Sequence, residues 1–419
     1  MRSENRSPQK SVVMLTTDRC IDRRISLEAA SLEDAGWDVT IIAMPTDMLD
    51  LDHPRVVRLG QGTARAMSVK EGGVLATYKW MRRWLPMNSR LMMWLKAAAW
   101  RHFLDQERFF VKAFEPVVSQ YRPTVFLAHD LPVLAVARRA AARCGAKLVY
   151  DSHELYCEQE FPEDVKRRWA AVEHKHIGVC DAVMTVNPSI ARELENRYGL
   201  DEVEVVYNAE YARDIEHEER YFHKYFSLAD KDKVLLFQGG VTVGRNIELL
   251  VSAMRLLLNK HVHLVLLGNG TLVQTLRRRS QELGVAGVVH FHPAVPQTDL
   301  LRLTASADAG LIPYQAICLN NYYCTPNKLF EFIAAGIPVL GSDLPEINHI
   351  VTTQGIGRVA DLGSEPRMAA AIDTFFSDDA QLCKWRDNAK TARSVFSWDH
   401  EGRKVVELFE KLLHSGVTP

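Results

Sequence analysis

Short apolar runs rich in Val, Ile and Leu recur along the chain, first at residues 12–15, 39–43, 125–128, 147–150 and 182–186, then at 234–237, 263–267, 288–290, 309–312 and 339–340. Longer stretches with apolar positions at helical spacing separate them. Strands buried on both faces and alternating with helices predict parallel sheets covered on each side, an α/β architecture. The series divides near residues 205–208, where a polar, charge-rich stretch over 210–233 leads into a fresh strand, and the domain boundary is placed there. Two doubly wound sheets facing a central cleft collect ligands beyond the carboxyl ends of their strands. Residues just after strands are therefore the candidates for chemistry.

A length of 419 residues suits two such domains, each with its own core. The formal net charge of −1 argues against nucleic acid as a partner. Seven scattered cysteines form no C-x-x-C pair, the pattern of reduced thiols in a cytoplasmic protein rather than of a zinc site or disulfide framework. The polar start MRSENRSPQK lacks the apolar core of a signal peptide, and no stretch is long enough to span a bilayer. Residues 79–101 mix Lys, Arg, Trp and Met without an acidic residue, in two helix-compatible pieces separated at Pro86. Such a segment suits peripheral contact with an anionic membrane carrying a lipid-linked acceptor. Trp and Met at helical spacing also suit an ordinary core.

The second half carries the strongest chemical pattern. Gly239-Gly240 follow an apolar strand and Gly244-Arg245-Asn246 precede the helical pattern of 247–258, a turn whose amides can approach phosphate. Arg245 near a helix start opposes the macrodipole unless an anion is present. A plain connecting turn is the alternative. In residues 323–338, Thr325 reads as an N-cap, Pro326 as the first helical residue and Gly336 as the closing residue. Lys328 then takes the third helical position, where a capping box has Glu or Gln, and again an anion is missing. Glu331 lies inside an apolar run, and a buried carboxylate needs donors such as sugar hydroxyls. An i,i+3 pair between Lys328 and Glu331 on a solvated face is the structural alternative.

Residues 327–343, beginning Asn327-Lys328-Leu329-Phe330-Glu331, resemble the donor-binding segment of family-4 glycosyltransferases, a group of retaining GT-B enzymes. Asp22-Arg23-Arg24 with 32–39, His129-Asp130, Asp151-Ser152-His153-Glu154, Val206-Tyr207-Asn208 and Leu267-Gly268-Asn269-Gly270 resemble the same family in the same order. The resemblance implies two Rossmann-like domains: residues 1–207 for the acceptor, 208–399 for the nucleotide-sugar, with the terminal helix at 400–419 returning to the first. It implies that Glu331 holds ribose hydroxyls, while Arg245, Lys328 and helix amides hold the diphosphate.

Further donor contacts are expected from Gly239, Gly240, Gly268, Asn269 and His292. Around the helix start they are expected from Tyr323, Thr325, Asn327 and Leu329. His153 matches the family histidine that faces the reacting sugar, with a packed or solvated structural role as its alternative. His129 is assigned to the acceptor side, and an N-cap role ahead of Leu131-Pro132 suits Asp130. Two positions depart from the family: Gly240 stands where Arg is common, and Tyr323 where the E-x7-E motif has its first glutamate.

The activity implied is retaining transfer of a sugar from a nucleotide diphosphate sugar, with UDP-sugar favoured, to a glycan or lipid-linked acceptor in polysaccharide or glycolipid biosynthesis. His153, Arg245 and Lys328 are the catalytic assignments. No metal and no cofactor are expected, since two cations and helix amides stabilise the leaving nucleoside diphosphate. The expected location is cytoplasmic, at the inner face of the membrane. A non-catalytic GT-B partner subunit, kept open by Tyr323, and a GT-B nucleotide-sugar epimerase are the competing readings.

Overall fold

Apolar strands and amphipathic helices alternate through both halves of the computed structural model, which describes residues 10–46, 55–60, 105–215 and 218–414. The basic, Trp-containing segment at 79–101 lies outside them. The chain divides into two units, one of Met1–Val186, Ile190–Val206 and Gly402–Pro419, the other of Asn187–Ser189 and Tyr207–Glu401.

In the first unit, β1 (Ser11–Thr16), α1 (Arg23–Asp34), β2 (Asp38–Ala43) and β3 (Val56–Arg58) are followed by α2 (Gln106–Val118), β4 (Val125–His129) and α3 (Leu131–Cys144). Then come β5 (Lys147–Ser152), α4 (Glu163–Ile177), β6 (Ala182–Thr185), α5 (Pro188–Tyr198) and β7 (Glu204–Val205). The strands form one sheet in the order β3-β2-β1-β4-β5-β6-β7, parallel throughout, with Val12 of β1 opposite both Val39 and Val125. Every residue of β4 is buried, as a central strand covered on both faces requires. Strand order reverses between β1 and β4.

The second unit contains α6 (Tyr221–Phe226), β8 (Lys233–Gln238), α7 (Ile247–Ala253), β9 (Val262–Leu267), α8 (Val273–Glu282), β10 (Val289–His292) and α9 (Gln297–Thr304). It continues with β11 (Ala309–Ile312), α10 (Leu319–Tyr322), α11 (Asn327–Ala335), β12 (Val339–Ser342), α12 (Pro345–Thr353) and β13 (Gly357–Ala360). The last helices are α13 (Glu365–Phe375), α14 (Asp379–Ala392) and α15 (Trp398–His414). Its sheet runs β10-β9-β8-β11-β12-β13, again parallel, and reverses between β8 and β11. Successive residues of β8 feed separate cores: Leu235 and Phe237 join one face, Val234 and Leu236 the other. On β11, a Cβ at Gly310 would stand 2.4 Å from the Phe332 ring, so α11 seats directly on the sheet only over a glycine.

From Gly402 onward α15 belongs to the first unit. There Phe409 packs edge-on against Trp37 at 5.4 Å, and Glu410 accepts hydrogen bonds from Lys10 Nζ and Trp37 Nε1. The two parallel sheets expected from the apolar pattern are both present. Among the described residues, no helix is long and apolar enough to cross a membrane.

Two helix starts differ from the sequence reading. Helix α11 begins at Asn327, with Pro326 as its N-cap in extended conformation and without a side-chain cap. Pro326 sits at ψ 142°, outside the helical region, so Thr325 is displaced from the cap and instead accepts from Asn187 Nδ2 at 3.2 Å. Lys328 is consequently the second helical residue, while Gly336 closes the helix at φ 67° as expected. The helix after Arg245 is also shorter than 247–258: α7 stops at Ala253 and tightens into a 3-10 turn over Met254–Leu256.

Candidate active site

Each sheet has a point where strand order reverses, and each such point carries buried charge. Connections leave the reversal in opposite directions, opening a crevice at the carboxyl ends of the strands. In the second unit this is the end of β8 and β11, where Gln238, Gly239 and Tyr314 lie. Helix α11 adds Lys328 and Glu331, both buried.

Lys328 points its ammonium at aromatic rings, 3.9 Å from the centre of Phe237 and 4.9 Å from that of Tyr314. The Arg245 guanidinium lies 4.7 Å from the same Tyr314 ring. Ring faces attract cations but do not neutralise them. Among the described residues, neither cation has an ion-pair partner. Burial and then the neighbouring Arg245 push the Lys328 amine down to about 7, with Glu331 opposing. Gly239 lies beside the ammonium, where a Cβ would stand 3.7 Å from Lys328 Nζ, and its φ of +106° is one that favours glycine. The first amides of α11, those of Asn327 and Lys328, have no intrahelical acceptor and add to the positive field.

Glu331 is not paired with Lys328 on a solvated face. Its Oε2 accepts from Gln238 Nε2, and Gln238 Oε1 accepts from Thr304 Oγ1 at 2.8 Å. The remaining predicted donor contacts divide by environment. Gly240, Asn269 and Asn327 are exposed, and Tyr323 is half-buried. Asn327 Oδ1 accepts from Asn208 Nδ2, and the Tyr323 carbonyl accepts from Asn187. Leu329 has its side chain in the core and its amide on the Pro326 carbonyl, so neither is presented to a ligand.

Gly268 is explained by backbone crowding: at φ +149°, a Cβ would stand 2.0 Å from the Gly239 carbonyl oxygen. The loops after β8 and β9 are laced together there, Gly239 N to Leu267 O at 2.9 Å and Val241 N to Asn269 O at 3.0 Å. His292 uses both ring nitrogens internally, Nδ1 on the Pro293 carbonyl and Nε2 on the Tyr221 hydroxyl. Donation from Nδ1 leaves Nε2 to accept the Tyr221 proton, so no nitrogen remains for a ligand.

The first-unit site gathers around Asp151 at the end of β5. Arg24 of α1 donates from Nε to Asp151 Oδ2 at 2.9 Å and from Nη2 to Oδ1 at 2.8 Å, while Nη1 reaches the Val206 carbonyl. Glu28, one turn along α1, lies 2.9 Å from Arg24 Nε. His153 Nε2 meets Asp151 Oδ2 at 2.8 Å, and its Nδ1 faces Asp130 Oδ2 at 3.5 Å. Burial would lower the His153 imidazole, but the two carboxylates outweigh it and hold it up at about 10. Burial raises Glu28 well above the carboxylate range, helped by Asp151. Asp151 itself, despite burial, is held well below that range by Arg24 and His153.

Asp130 occupies the N-cap position of α3 yet makes no side-chain cap. Its backbone lies at φ 65°, and its Oδ1 accepts from the His153 amide at 3.2 Å, so the carboxylate serves the histidine rather than the helix. His129 is fully buried beneath His153 instead of lining an acceptor surface: its Nδ1 lies 3.2 Å from Asp151 Oδ2. Burial lowers its imidazole to about 4, the neutral form. His129, Asp151 and His153 bring three ligand-type atoms within 4.8 Å, but the Arg24 guanidinium occupies both Asp151 oxygens and fills the place of a cation.

Sequence reasoning named His153, Arg245, Lys328 and Glu331 but missed Arg24, Glu28, Asp151, Gln238 and Thr304 as members of these sites. A signal for the first pair existed. Arg24 and Glu28 stand four apart among Ile25, Ala29 and Leu32, charges on the apolar face of a helix.

The family model described as a glycosyl transferase 4-like domain matches residues 21–209, and that described as glycosyl transferases group 1 matches residues 219–392. An uncharacterized glycosyltransferase of Methanocaldococcus jannaschii (MJ1607) is 28% identical over 324 residues, 74% of this chain and 81% of its own. Sucrose-phosphate synthase from Thermosynechococcus elongatus superposes with a TM-score of 0.71 at 16% identity, covering 97% of this chain and 100% of the other. Anabaena HepE in complex with UDP gives a TM-score of 0.70 at 14% identity over 96% and 100% of the two chains. With both domain families matched in order and two parallel sheets of this topology, the chain belongs to the family-4 glycosyltransferases of the GT-B fold.

Proposed function

We propose that this glycosyltransferase takes its sugar from a nucleotide diphosphate donor, a UDP-sugar in the first instance, and transfers it with retention to a glycan or lipid-linked acceptor. The observation that carries the donor is the pair of cations at the β8/β11 reversal. Lys328 and Arg245 flank one buried tyrosine ring and, among the described residues, neither forms an ion pair, Glu331 acting on Lys328 only from beyond contact distance. A cation held in apolar surroundings without a counter-charge is costly, and a diphosphate with two or more negative charges relieves it. Glu331, three residues along the helix, then receives the ribose hydroxyls.

Charge stabilisation at departure of the nucleoside diphosphate is assigned to Lys328, Arg245 and the α11 amides. His153, held as an imidazolium by Asp130 and Asp151, adds the orienting charge that the family resemblance assigns to it. This chemistry calls on no metal or cofactor. The HepE complex with UDP supports the choice of nucleotide by analogy of fold. The proposed setting is cytoplasmic, with the basic segment 79–101 meeting an anionic membrane that carries the acceptor. Co-sedimentation with anionic vesicles at low salt tests that setting.

Calorimetry with UDP, GDP and ADP tests the donor reading. UDP binding that is lost in Lys328→Ala is expected, whereas no binding of any of the three nucleotides sinks it. Polarimetric or NMR assignment of the product anomer tests retention.

A further inference from the structure

We propose that Gln238 is a positioning residue for the nucleotide: its side-chain amide, bonded at its other end to Thr304, holds Glu331 in the one orientation that receives the ribose diol. The inference rests on the donor reading above and extends it to two residues that do not themselves touch the ligand.

Gln238 is the last residue of β8 and 1% exposed; Thr304, the last of α9, is 0% exposed. An amide at the end of an otherwise apolar buried strand is unfavourable unless both ends are bonded, and here both are. Its Nε2 donates to Glu331 Oε2, and its Oε1 accepts from the Thr304 hydroxyl at 2.8 Å.

The Thr304 proton has a second acceptor, the Leu300 carbonyl at 2.7 Å. Thr304 by itself therefore does not dictate which way the amide faces. The carboxylate does: a flipped amide would set Gln238 Oε1 against Glu331 Oε2, two acceptors with no proton between them. The three side chains accordingly select one arrangement together. With Oε2 anchored, Glu331 keeps Oε1 for donors arriving from the crevice. A carboxylate already fixed in its binding rotamer loses less freedom when the ligand arrives.

The experiment compares UDP with 2′,3′-dideoxy-UDP by calorimetry on the full chain. The variants are Gln238→Leu, Gln238→Glu, Thr304→Val, Glu331→Ala and the double variant Gln238→Leu/Glu331→Ala, each checked for an intact melting transition. Gln238→Leu is expected to weaken UDP about tenfold, the scale of one hydrogen bond to a charged group, and to leave dideoxy-UDP within about twofold. It adds nothing once Glu331 is alanine. Gln238→Glu, near-isosteric and able to fold where leucine does not, sets two carboxylates face to face and weakens UDP more at pH 8 than at pH 5. Thr304→Val produces a smaller loss confined to UDP.

Equal losses for both nucleotides, or additive losses in the double variant, would overturn the positioning role and leave Gln238 a packing residue. Wild-type chain that binds UDP and dideoxy-UDP equally rejects ribose recognition by Glu331 while sparing the donor reading. Wild-type chain that binds neither overturns both.

Discussion

The Arg24 guanidinium embraces the Asp151 carboxylate in a two-point contact, Nε to Oδ2 at 2.9 Å and Nη2 to Oδ1 at 2.8 Å, between side chains that are 1% and 0% exposed. The pair joins the start of α1 to the end of β5, and His153 hangs from the same carboxylate. Asp151 is thereby an anion with two cations around it, the arginine spanning both of its oxygens and the histidine sharing Oδ2.

Replacing Arg24 by Met leaves Asp151 charged and buried beside Glu28. Removal of one partner from such a pair costs about 3–5 kcal/mol. The expected result is a loss of that size in urea unfolding, with Arg24→Lys recovering little of it because a lysine cannot make the two-point contact. A loss below about 1 kcal/mol would contradict this account.

Asp130→Asn tests the electrostatics of His153 separately from its geometry. Asparagine matches aspartate in shape, so it meets the same backbone demand at φ 65°, ψ 161°, and keeps an oxygen for the His153 amide, but it removes one of the two charges that hold the imidazole up at about 10. The groups facing His153 are Asp18, Arg24, Glu28, His129, Asp130 and Asp151. An imidazolium is present below its pKa and lost as pH rises through it. The variant should therefore lose activity at a lower pH than the wild type. The alkaline limb of kcat/KM and the NMR titration of His153 should both move toward neutrality, and an unmoved titration rejects the role given to Asp130.

At Lys328, stability and ligand binding pull in opposite directions. Its amine, lowered to about 7 by burial and Arg245, favours unfolding at pH 6, where it is charged in both states. As pH rises from about 7 toward the ordinary lysine range, the unfolded chain holds the extra proton and stability increases. Lys328→Met should raise stability by on the order of 1–3 kcal/mol at pH 6, read by thermal unfolding, and abolish UDP binding. In the wild type, diphosphate raises the lysine pKa again. Binding at pH 8 should thus take up protons, and affinity should fall as pH rises above about 7, seen as a buffer-dependent calorimetric enthalpy.

Gly268→Ala tests whether that glycine serves the backbone rather than a ligand. Its Cβ would meet the Gly239 carbonyl oxygen at 2.0 Å from a φ of +149°, so the two loops must separate. Destabilisation of about 2–4 kcal/mol is expected, along with weaker UDP binding through displacement of Gly239. A variant of wild-type stability with weaker UDP binding would instead place a ligand against Gly268.

Much of this was legible in the chain itself. Apolar runs such as Val234 to Phe237 specify buried parallel strands whatever they pack against, because burial on both faces demands apolar side chains at every position. Gly336 announces the end of α11 because only a left-handed residue closes the helix there. Lys328 and Glu331 stood out because charge inside an apolar helical segment needs a reason. The start of α11 was misread because Thr-Pro is compatible with a cap at either residue, and local preference is decided by about 1 kcal/mol or less. Tertiary context settles so small a margin, here by engaging the Thr325 hydroxyl with Asn187.

Local sequence therefore determined the elements, the class of fold and the residues whose charge is out of place, since these follow from periodicity and from burial of single side chains. The tertiary structure decided the pairings: Arg24 with Asp151, His153 between Asp130 and Asp151, Gln238 with Glu331 and Thr304. Those partners lie up to 127 positions apart. Hydrogen bonds and charge pairs act over a few ångströms of space, a distance that residue order does not specify until the strands have taken their places in the sheet.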